Sequence, residues 1–304
     1  MIKNKKQPRV YIIILNWNNH EDTIELIQSL KKISYNNYKI IVIDNNSSEK
    51  DVVNLFENSK EEIQLIINKE NLGFSGGNNI GIKLSIEEGA DFILLLNNDT
   101  IVNTNFLDLL VEKFEHNNQI GIVAPQINFY DNPKKIWSGG GKISKIRGSG
   151  FIYSNSDQIK NSKEIDFVSG CCMLIKKDVF QKIGLFDENY FLYIEDTDFC
   201  YRVIKNGYKI CFTPESQIYH KVFGSTKKSY SALPLYYSTR NRLYFARKNF
   251  PGLFPLTLLY ISITMFFKCL IWLFKGELNK INSVKKGFRD FLAKKMGKMK
   301  LISN

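Results

Sequence analysis

Asp91-Phe92-Ile93-Leu94-Leu95-Leu96-Asn97-Asn98-Asp99 is the stretch on which the reading of this sequence turns. Its run of large apolar side chains is too short for a helix that would fill a core, and reads as a strand buried on both faces. The run stops on two amides and a carboxylate. In open α/β sheets ligands sit at the carboxyl ends of the strands. A carboxylate there, with no basic neighbour in sequence, suits a hard divalent cation carrying phosphate oxygens. A plain Asn/Asp turn would satisfy the same nine residues, so the surrounding chain has to decide.

Upstream, strand and helix patterns alternate. Residues 10–15 are an apolar, β-rich run ending at Asn16-Trp17-Asn18-Asn19, and residues 22–32 carry Ile24, Ile27 and Leu30 at helical spacing. Residues 39–43 read as a second strand ending at Asp44-Asn45, 51–60 as a helix, and 63–67 as a third strand. A polar, Gly-rich loop over residues 71–79 then precedes a helix over 80–88. Such alternation predicts a doubly wound, mostly parallel sheet of the α/β class. Downstream, residues 106–116 read as a helix and 120–125 as a strand. A looser region, 126–165, holds Trp137 and Gly139-Gly140-Gly141, where a functional lid and a tight surface turn are both open. Residues 167–175 and 208–213 read as strands, the latter leading to Ile218-Tyr219-His220; 177–183 and 195–206 read as helices.

The net charge of +12 sits at one end. Residues 1–220 hold 25 Lys/Arg against 28 Asp/Glu; residues 221–304 hold 17 against two, Glu277 and Asp290. A near-neutral N-terminal body without a basic stripe argues against a nucleic-acid reader. Cys171, Cys172, Cys200, Cys211 and Cys269 show no CxxC pair or zinc spacing and read as small buried hydrophobes, which fits a reducing compartment. The first residues do not read as a secretory leader, because their lysines precede only a six-residue apolar run that Asn16 ends.

Candidate chemistry gathers at Asp44, at Asn71 to Asn78, at Asn97 to Asp99 and at Glu195-Asp196-Thr197-Asp198. Acids in a first helical turn answer the macrodipole. Three within four residues exceed that need, and one could act as a general base. His220, at the end of a strand-like segment, is either structural or a metal ligand. No G-x-G-x-x-G follows the first strand and no G-x-x-x-x-G-K-[ST] occurs, which sets aside dinucleotide and P-loop enzymes.

In order and spacing these features resemble the inverting family 2 glycosyltransferases of GT-A fold, especially bacterial and archaeal rhamnosyltransferase-like members. The likeness covers residues 9 to about 250. It runs through Asn16-Trp17-Asn18, Asp44-Asn45, Asn71-Leu72-Gly73-Phe74-Ser75-Gly76-Gly77-Asn78, Asn97-Asn98-Asp99, Gly170-Cys171-Cys172-Met173-Leu174, Phe186-Asp187-Glu188, Glu195-Asp196-Thr197-Asp198 and Tyr237-Ser238-Thr239-Arg240-Asn241-Arg242. The resemblance implies that Asp44, with Asn45, Asn16 and Trp17, binds the base or ribose of a nucleotide-sugar. Asn71, Gly73, Gly76, Asn78, Asn97 and Asn98 would complete the donor site. Asp99, with His220, would hold Mg2+ or Mn2+, though amides at 97 and 98 leave one carboxylate where the family's D-x-D-like motif has more. Asp196 would be the base and Glu195 its companion, with Gly170, Cys171 and Trp137 on the acceptor side. Those amides are also the one feature favouring a catalytically silent glycan- or nucleotide-binding membrane protein on the same fold. The implied layout is a catalytic domain over residues 1–250, with a nucleotide-binding half at about 9–125 and an acceptor half at about 126–250. The implied reaction moves a sugar from dTDP-rhamnose or a UDP-hexose to a glycan acceptor, lipid-linked by expectation, in cell-surface polysaccharide synthesis. An oligomer is left open.

Residues 253–274 approach the roughly 20 apolar residues that span a bilayer. Lys268 lies inside that segment, and a crossing would put the lysine-rich tail on the side opposite the catalytic body, against the positive-inside rule. Further on, Leu278, Ile281, Val284, Phe288 and Phe291 recur at helical spacing between lysines, the pattern of a basic amphipathic helix on an anionic membrane surface. The expectation is therefore peripheral or re-entrant attachment of residues 251–304 at the cytoplasmic face, with a helical hairpin packed on the protein as the alternative.

Overall fold

Helices cover both faces of one nine-stranded sheet in the computed structural model, which describes residues 7–161, 165–222 and 232–299. The first half alternates as expected: β1 (Val10–Asn16), α1 (His20–Leu30), β2 (Tyr38–Asp44), α2 (Glu49–Ser59), β3 (Ile63–Ile67), α3 (Gly73–Glu87) and β4 (Phe92–Asn97). Then follow β5 (Thr100–Val102), α4 (Phe106–His116), β6 (Ile120–Phe129), β7 (Ile136–Ser138), the hairpin of β8 (Gly141–Ser144) and β9 (Ser149–Ile152), and α5 (Ser156–Asn161). The chain continues with β10 (Cys172–Lys176), α6 (Lys177–Ile183), α7 (Glu195–Lys205), β11 (Lys209–His220), α8 (Ala232–Asn249), a 3-10 turn (Pro251–Leu253), α9 (Phe254–Phe274) and α10 (Leu278–Leu292).

The strand order is β3-β2-β1-β4-β10-β6-β11-β5, with β7 beside β6. The β3 to β4 half is wholly parallel, whereas β10 runs antiparallel to both β4 and β6, so the second half is mixed. Alternate residues of the central strands feed two cores. Ile12, Ile14, Leu94, Leu96 and Leu174 pack on one face; Tyr11, Ile13, Ile93, Leu95, Met173 and Ile175 pack on the other. This is why β4 shows no polar alternation.

The Gly-rich segment departs from expectation. Residues 73–79 are the first two turns of α3, not a loop. Glycine costs about 1 kcal/mol per residue in a helix interior, but here it lets the helix lie close on the sheet. A Cβ at Gly77 would stand 2.9 Å from both Asn45 and Leu15, and one at Gly81 would meet Ile13 at 2.7 Å. Gly73 opens the helix at φ +71°, and Phe74 N donates to Phe191 O at 2.8 Å across the same contact.

The basic amphipathic helix is corrected too. Ile281, Val284 and Phe291 of α10 are buried against the protein, and α10 lies so close to α8 that a Cβ at Gly287 would fall 2.9 Å from Tyr236 O. Most of its apolar face is spent inside the molecule, Leu278 being the exposed exception. A broader exposed apolar surface lies on α9, whose Thr257, Ile261 and Met265 pack inward while Leu259, Phe266, Phe267 and Phe274 are open. Among the described residues, Pro251–Phe274 is the one helical stretch long and apolar enough to cross a membrane.

Gly73→Ala tests the close fit of α3. Its Cβ would fall 2.1 Å from Phe191 O on a left-handed backbone, so a loss of at least about 2 kcal/mol is expected. A urea midpoint equal to that of the parent would contradict it.

Candidate active site

The ends of the strands bring the polar residues together. Asn16 pairs with Asp44 across β1 and β2, Leu15 pairs with Asn97 across β1 and β4, and Asn97 N donates to Cys171 O at 2.9 Å. At the far side β11 ends with His220 opposite Thr100, and Lys221 N donates to Asp99 O at 2.9 Å. One edge of the sheet thus carries residues from five strands and the two segments that follow β4 and precede β10.

At the β1–β2 end, the Asn16 amide donates to Asp44 Oδ2 and to Asp51 Oδ2, each at 2.7 Å, and its carbonyl accepts from Thr23 Oγ1 at 2.9 Å. Asp44 also accepts from Ser47 N and Oγ at 2.8 and 2.6 Å and is fully buried. Its carboxylate is therefore a node of the pocket floor. Burial works against the Asp51 carboxylate, yet the bonds from Asn16 and from His20, at 2.7 Å, hold its pKa below the ordinary value. Sequence reading missed Asp51 and His20; their only signal was a helix-start acid one turn from a strand-end acid. Asn45 donates to Gly73 O at 3.1 Å and accepts from Asn68, tying α3 to this node. Trp17, by contrast, is 54% exposed above it.

Among the remaining donor-side candidates, Asn71 Oδ1 accepts from Gly73 N at 2.8 Å and Asn78 donates back to Phe74 O at 3.0 Å. Both shape the start of α3, and the tight contact of Gly76 with Leu72 does the same. Asn98 donates to Thr23 Oγ1 at 3.0 Å. Asn79, which was not singled out, makes two-way bonds with the Phe186 backbone and reaches Glu188 Oε1 at 2.9 Å. It clamps α3 to the loop leading to α7, a contact over 107 residues that no local pattern announces.

Asp99 and His220, 121 residues apart in sequence, meet at 3.1 Å through Oδ1 and Nε2. Trp137 packs edge-on against the imidazole, ring centroids 4.6 Å apart. Burial disfavours the imidazolium, but Cys171 and Asp99 beside it outweigh that and raise His220 to about 10. Burial in turn pushes the Cys171 thiol up. Cys171 offers an acceptor almost no side-chain surface, and its place is behind His220.

Asp99 Oδ1 and His220 Nε2 are close enough to serve as neighbouring ligands of a divalent cation, which would have to displace the proton that Asp99 favours on the imidazole. Among the described residues no cluster of three or more His, Cys, Asp or Glu side chains is placed to hold a metal. A cation here would therefore take its other ligands from donor phosphate oxygens and water.

Glu195 and Asp196 open α7 after Tyr193 and Ile194, which have φ of 67° and 75°. Asp196 Oδ1 accepts from Thr197 N at 2.7 Å and Oδ2 from Gly170 N at 3.2 Å, so Gly170 and Asp196 do come together. Gly150 N in turn holds Thr197 Oγ1 at 3.1 Å. Burial raises Asp196 while those backbone donors lower it, and the net direction is upward. Glu195 is raised further, by burial and then by the Asp196 charge, and its Oε2 has no partner. Both carboxyls of the pair therefore hold their protons more tightly than free acids, Glu195 the more so. Asp198 is different in kind. It is fully buried and bound by Arg202, Lys248 and Asn249 at 2.8–3.0 Å, an anchor for α7.

A family model described as glycosyltransferase like family 2 matches residues 8–246. The low-salt glycan biosynthesis hexosyltransferase Agl10 of Haloferax volcanii is 28% identical over 233 residues, covering 76% of this chain and 73% of that protein. The dTDP-rhamnosyl transferase RfbF of Shigella flexneri is 27% identical over 253 residues, covering 79% and 80%. Among solved structures, the mannosyltransferase PcManGT from Pyrobaculum calidifontis, in complex with GDP-Man and Mn2+, superposes with a TM-score of 0.57 at 11% identity, over 96% of this chain and 89% of that one. GalNAc-T7 with UDP, GalNAc and Mn2+ gives 0.58 at 17% identity, over 71% of this chain and 44% of the other, less than half its length.

The raised carboxyls predict a pH signature. A buried acid whose folded pKa lies above its unfolded value costs stability once pH exceeds the unfolded value, about 4.5 for Glu195. Glu195→Gln should raise Tm at neutral pH, with the gain vanishing below that value. A gain that persists unchanged at pH 3 would contradict it.

Proposed function

The chain belongs to glycosyltransferase like family 2, and from that premise we propose that it transfers a sugar, with inversion, from a nucleotide-sugar to a hydroxyl of a membrane-borne glycan. The observation that carries the mechanism is the convergence, at one sheet edge, of the Asp99–His220 pair with the Glu195–Asp196 pair across Gly170-Cys171. Asp196 accepts the proton of the acceptor hydroxyl. The new bond from that oxygen to the anomeric carbon forms as the bond to the diphosphate breaks, and the nucleoside diphosphate leaves with the electron pair. Thr197 N and Gly170 N aim the base, and burial beside Asp196 raises Glu195, which disfavours a second negative charge at the reacting centre. When bound, Mg2+ or Mn2+ at Asp99 and His220 supplies positive charge to the departing diphosphate.

Asn16, Trp17, Asp44, Asn45, Asn97 and Asn98 form the nucleotide side of the cleft, and Trp137 and Gly170 its acceptor side. The two halves, residues 9–125 and 126–250, thereby divide donor from acceptor. Likeness to RfbF favours dTDP-rhamnose, with UDP-hexoses as the alternatives to screen.

The open face of α9 supports attachment to the cytoplasmic membrane face. A 21-residue helix is about 30 Å long, enough to span. Its inner stripe, Thr257, Ile261 and Met265, is committed to the folded body, however, and a crossing would drag that body into the bilayer. Lying in the plane satisfies both faces and keeps the outward lysines of α10 near anionic headgroups.

Asp196→Asn should retain dTDP-rhamnose or UDP-sugar binding by thermal shift with Mn2+, while turnover to the nucleoside diphosphate falls about 10³-fold or more. Turnover like that of the parent would remove Asp196 from the reaction. For the membrane, a Leu259→Glu, Phe266→Glu, Phe267→Glu variant changes only the open face. It should fold normally yet no longer sediment with anionic vesicles, and continued sedimentation would rule this face out.

A further inference from the structure

Tyr193 and Ile194, which lead through Glu195 into the candidate base Asp196, are consecutive non-glycine residues in the left-handed region. Each costs of order 1–3 kcal/mol and persists only where the surroundings over-determine it. The restraint comes from α8. Asn241, fully buried, donates from Nδ2 to Leu192 O and to Tyr193 O, both at 2.9 Å. Its orientation is set in turn, because Arg240 Nε donates to Asn241 Oδ1 at 3.0 Å and so leaves both amide hydrogens for the loop carbonyls. Arg240 is itself fully buried and donates from Nη1 to Tyr236 Oη at 3.1 Å and to Lys295 O at 3.2 Å. Tyr236 Oη donates to Asp290 of α10 at 2.8 Å. One hydrogen-bonded line therefore runs from Asp290, through Tyr236, Arg240 and Asn241, to the backbone turn that ends at Asp196.

The same turn is held from its other side by the tail of the chain. Phe191 stacks on Tyr237, with ring centroids 5.3 Å apart; Met299 N donates to Tyr237 Oη at 2.8 Å, and Gly297 N donates to Asn189 O at 2.9 Å. Asn241 touches neither cleft carboxylate, and its bonds go to backbone carbonyls that only a folded turn presents.

We propose that Asn241 is a positioning residue for the reaction, holding the strained Leu192–Ile194 turn so that Asp196 faces the acceptor, and that α10 sets Asn241 through Asp290, Tyr236 and Arg240. The C-terminal hairpin is thus part of the catalytic frame as well as a surface for the membrane. The inference rests on Asp196 as the base and adds what holds it in place.

The test is a double-substitution cycle on the full chain, reading turnover of dTDP-rhamnose with Mn2+ and, separately, donor affinity by thermal shift. Asn241→Ala should lower kcat about 10²-fold, the scale of a base displaced by about 1 Å, with donor Kd changed less than about 2-fold. In the Asp196→Asn background the same change should have no further effect on the residual rate, since there is no base left to aim. Equal losses in both backgrounds would make Asn241 a stability residue and overturn the proposal, and so would unchanged kcat in Asn241→Ala. Full activity in Asp196→Asn would instead sink the base assignment. Should Asn241→Ala not fold, Tyr236→Phe, which removes one hydroxyl of the line, should still lower kcat about 3- to 10-fold at constant donor Kd. Parental kcat in that folded variant overturns the coupling to α10.

Discussion

Strands β1, β4 and β10 are covered by helices on both faces, and a polar side chain in such a layer would lose water without finding a partner. Polar groups can collect only where the strands stop. Asn16, Asp44 and Asn97 lie side by side because their parallel strands run in register and end together. The mixed second half of the sheet adds what a purely parallel one would not. Because β10 runs backwards, its entry, Gly170-Cys171, arrives at the same edge from which β4 departs, and His220 comes to that edge at the end of β11.

The two carboxylate sites are built by different means, which explains their different character. Asp99 meets His220 across two strand ends, so the sheet itself fixes their separation. Asp196 stands on a helix whose entry is a strained turn, fixed by side chains from α8 and by the tail beyond α10. The first site is as rigid as the sheet, and the second is only as rigid as the contacts made by the C-terminal hairpin.

Periodicity and apolar run length made β1, β2, β4 and most helices legible, and residue type at strand ends and helix starts singled out Asp99, His220 and the acid cluster at 195–198. The start of α3 was not legible, because Gly76, Gly77 and Gly81 oppose helix propensity and are explained only by contacts with Leu72, Asn45 and Ile13. Nor could spacing tell that Asn79 holds Phe186 or that Asn241 holds Leu192 and Tyr193, since those are single side-chain-to-backbone bonds between distant segments. In α10 the periodicity correctly located an apolar face. What covers such a face is tertiary, and here the cover is α8 together with α9.

The Asn16 amide has a consequence for how such a site can change over time. Its two hydrogens are shared between two buried acids, Asp44 and Asp51, while its oxygen is taken by Thr23. Altering residue 16 alone takes a donor from two buried acids at once, leaving Asp44 to Ser47 and Asp51 to His20, and altering either acid alone takes from the Asn16 amide its shortest acceptor on that side. Viable variation at this place therefore has to move by groups of positions. A lineage that reshapes its nucleotide pocket would have to revise residues 16, 44 and 51 as a single inherited unit.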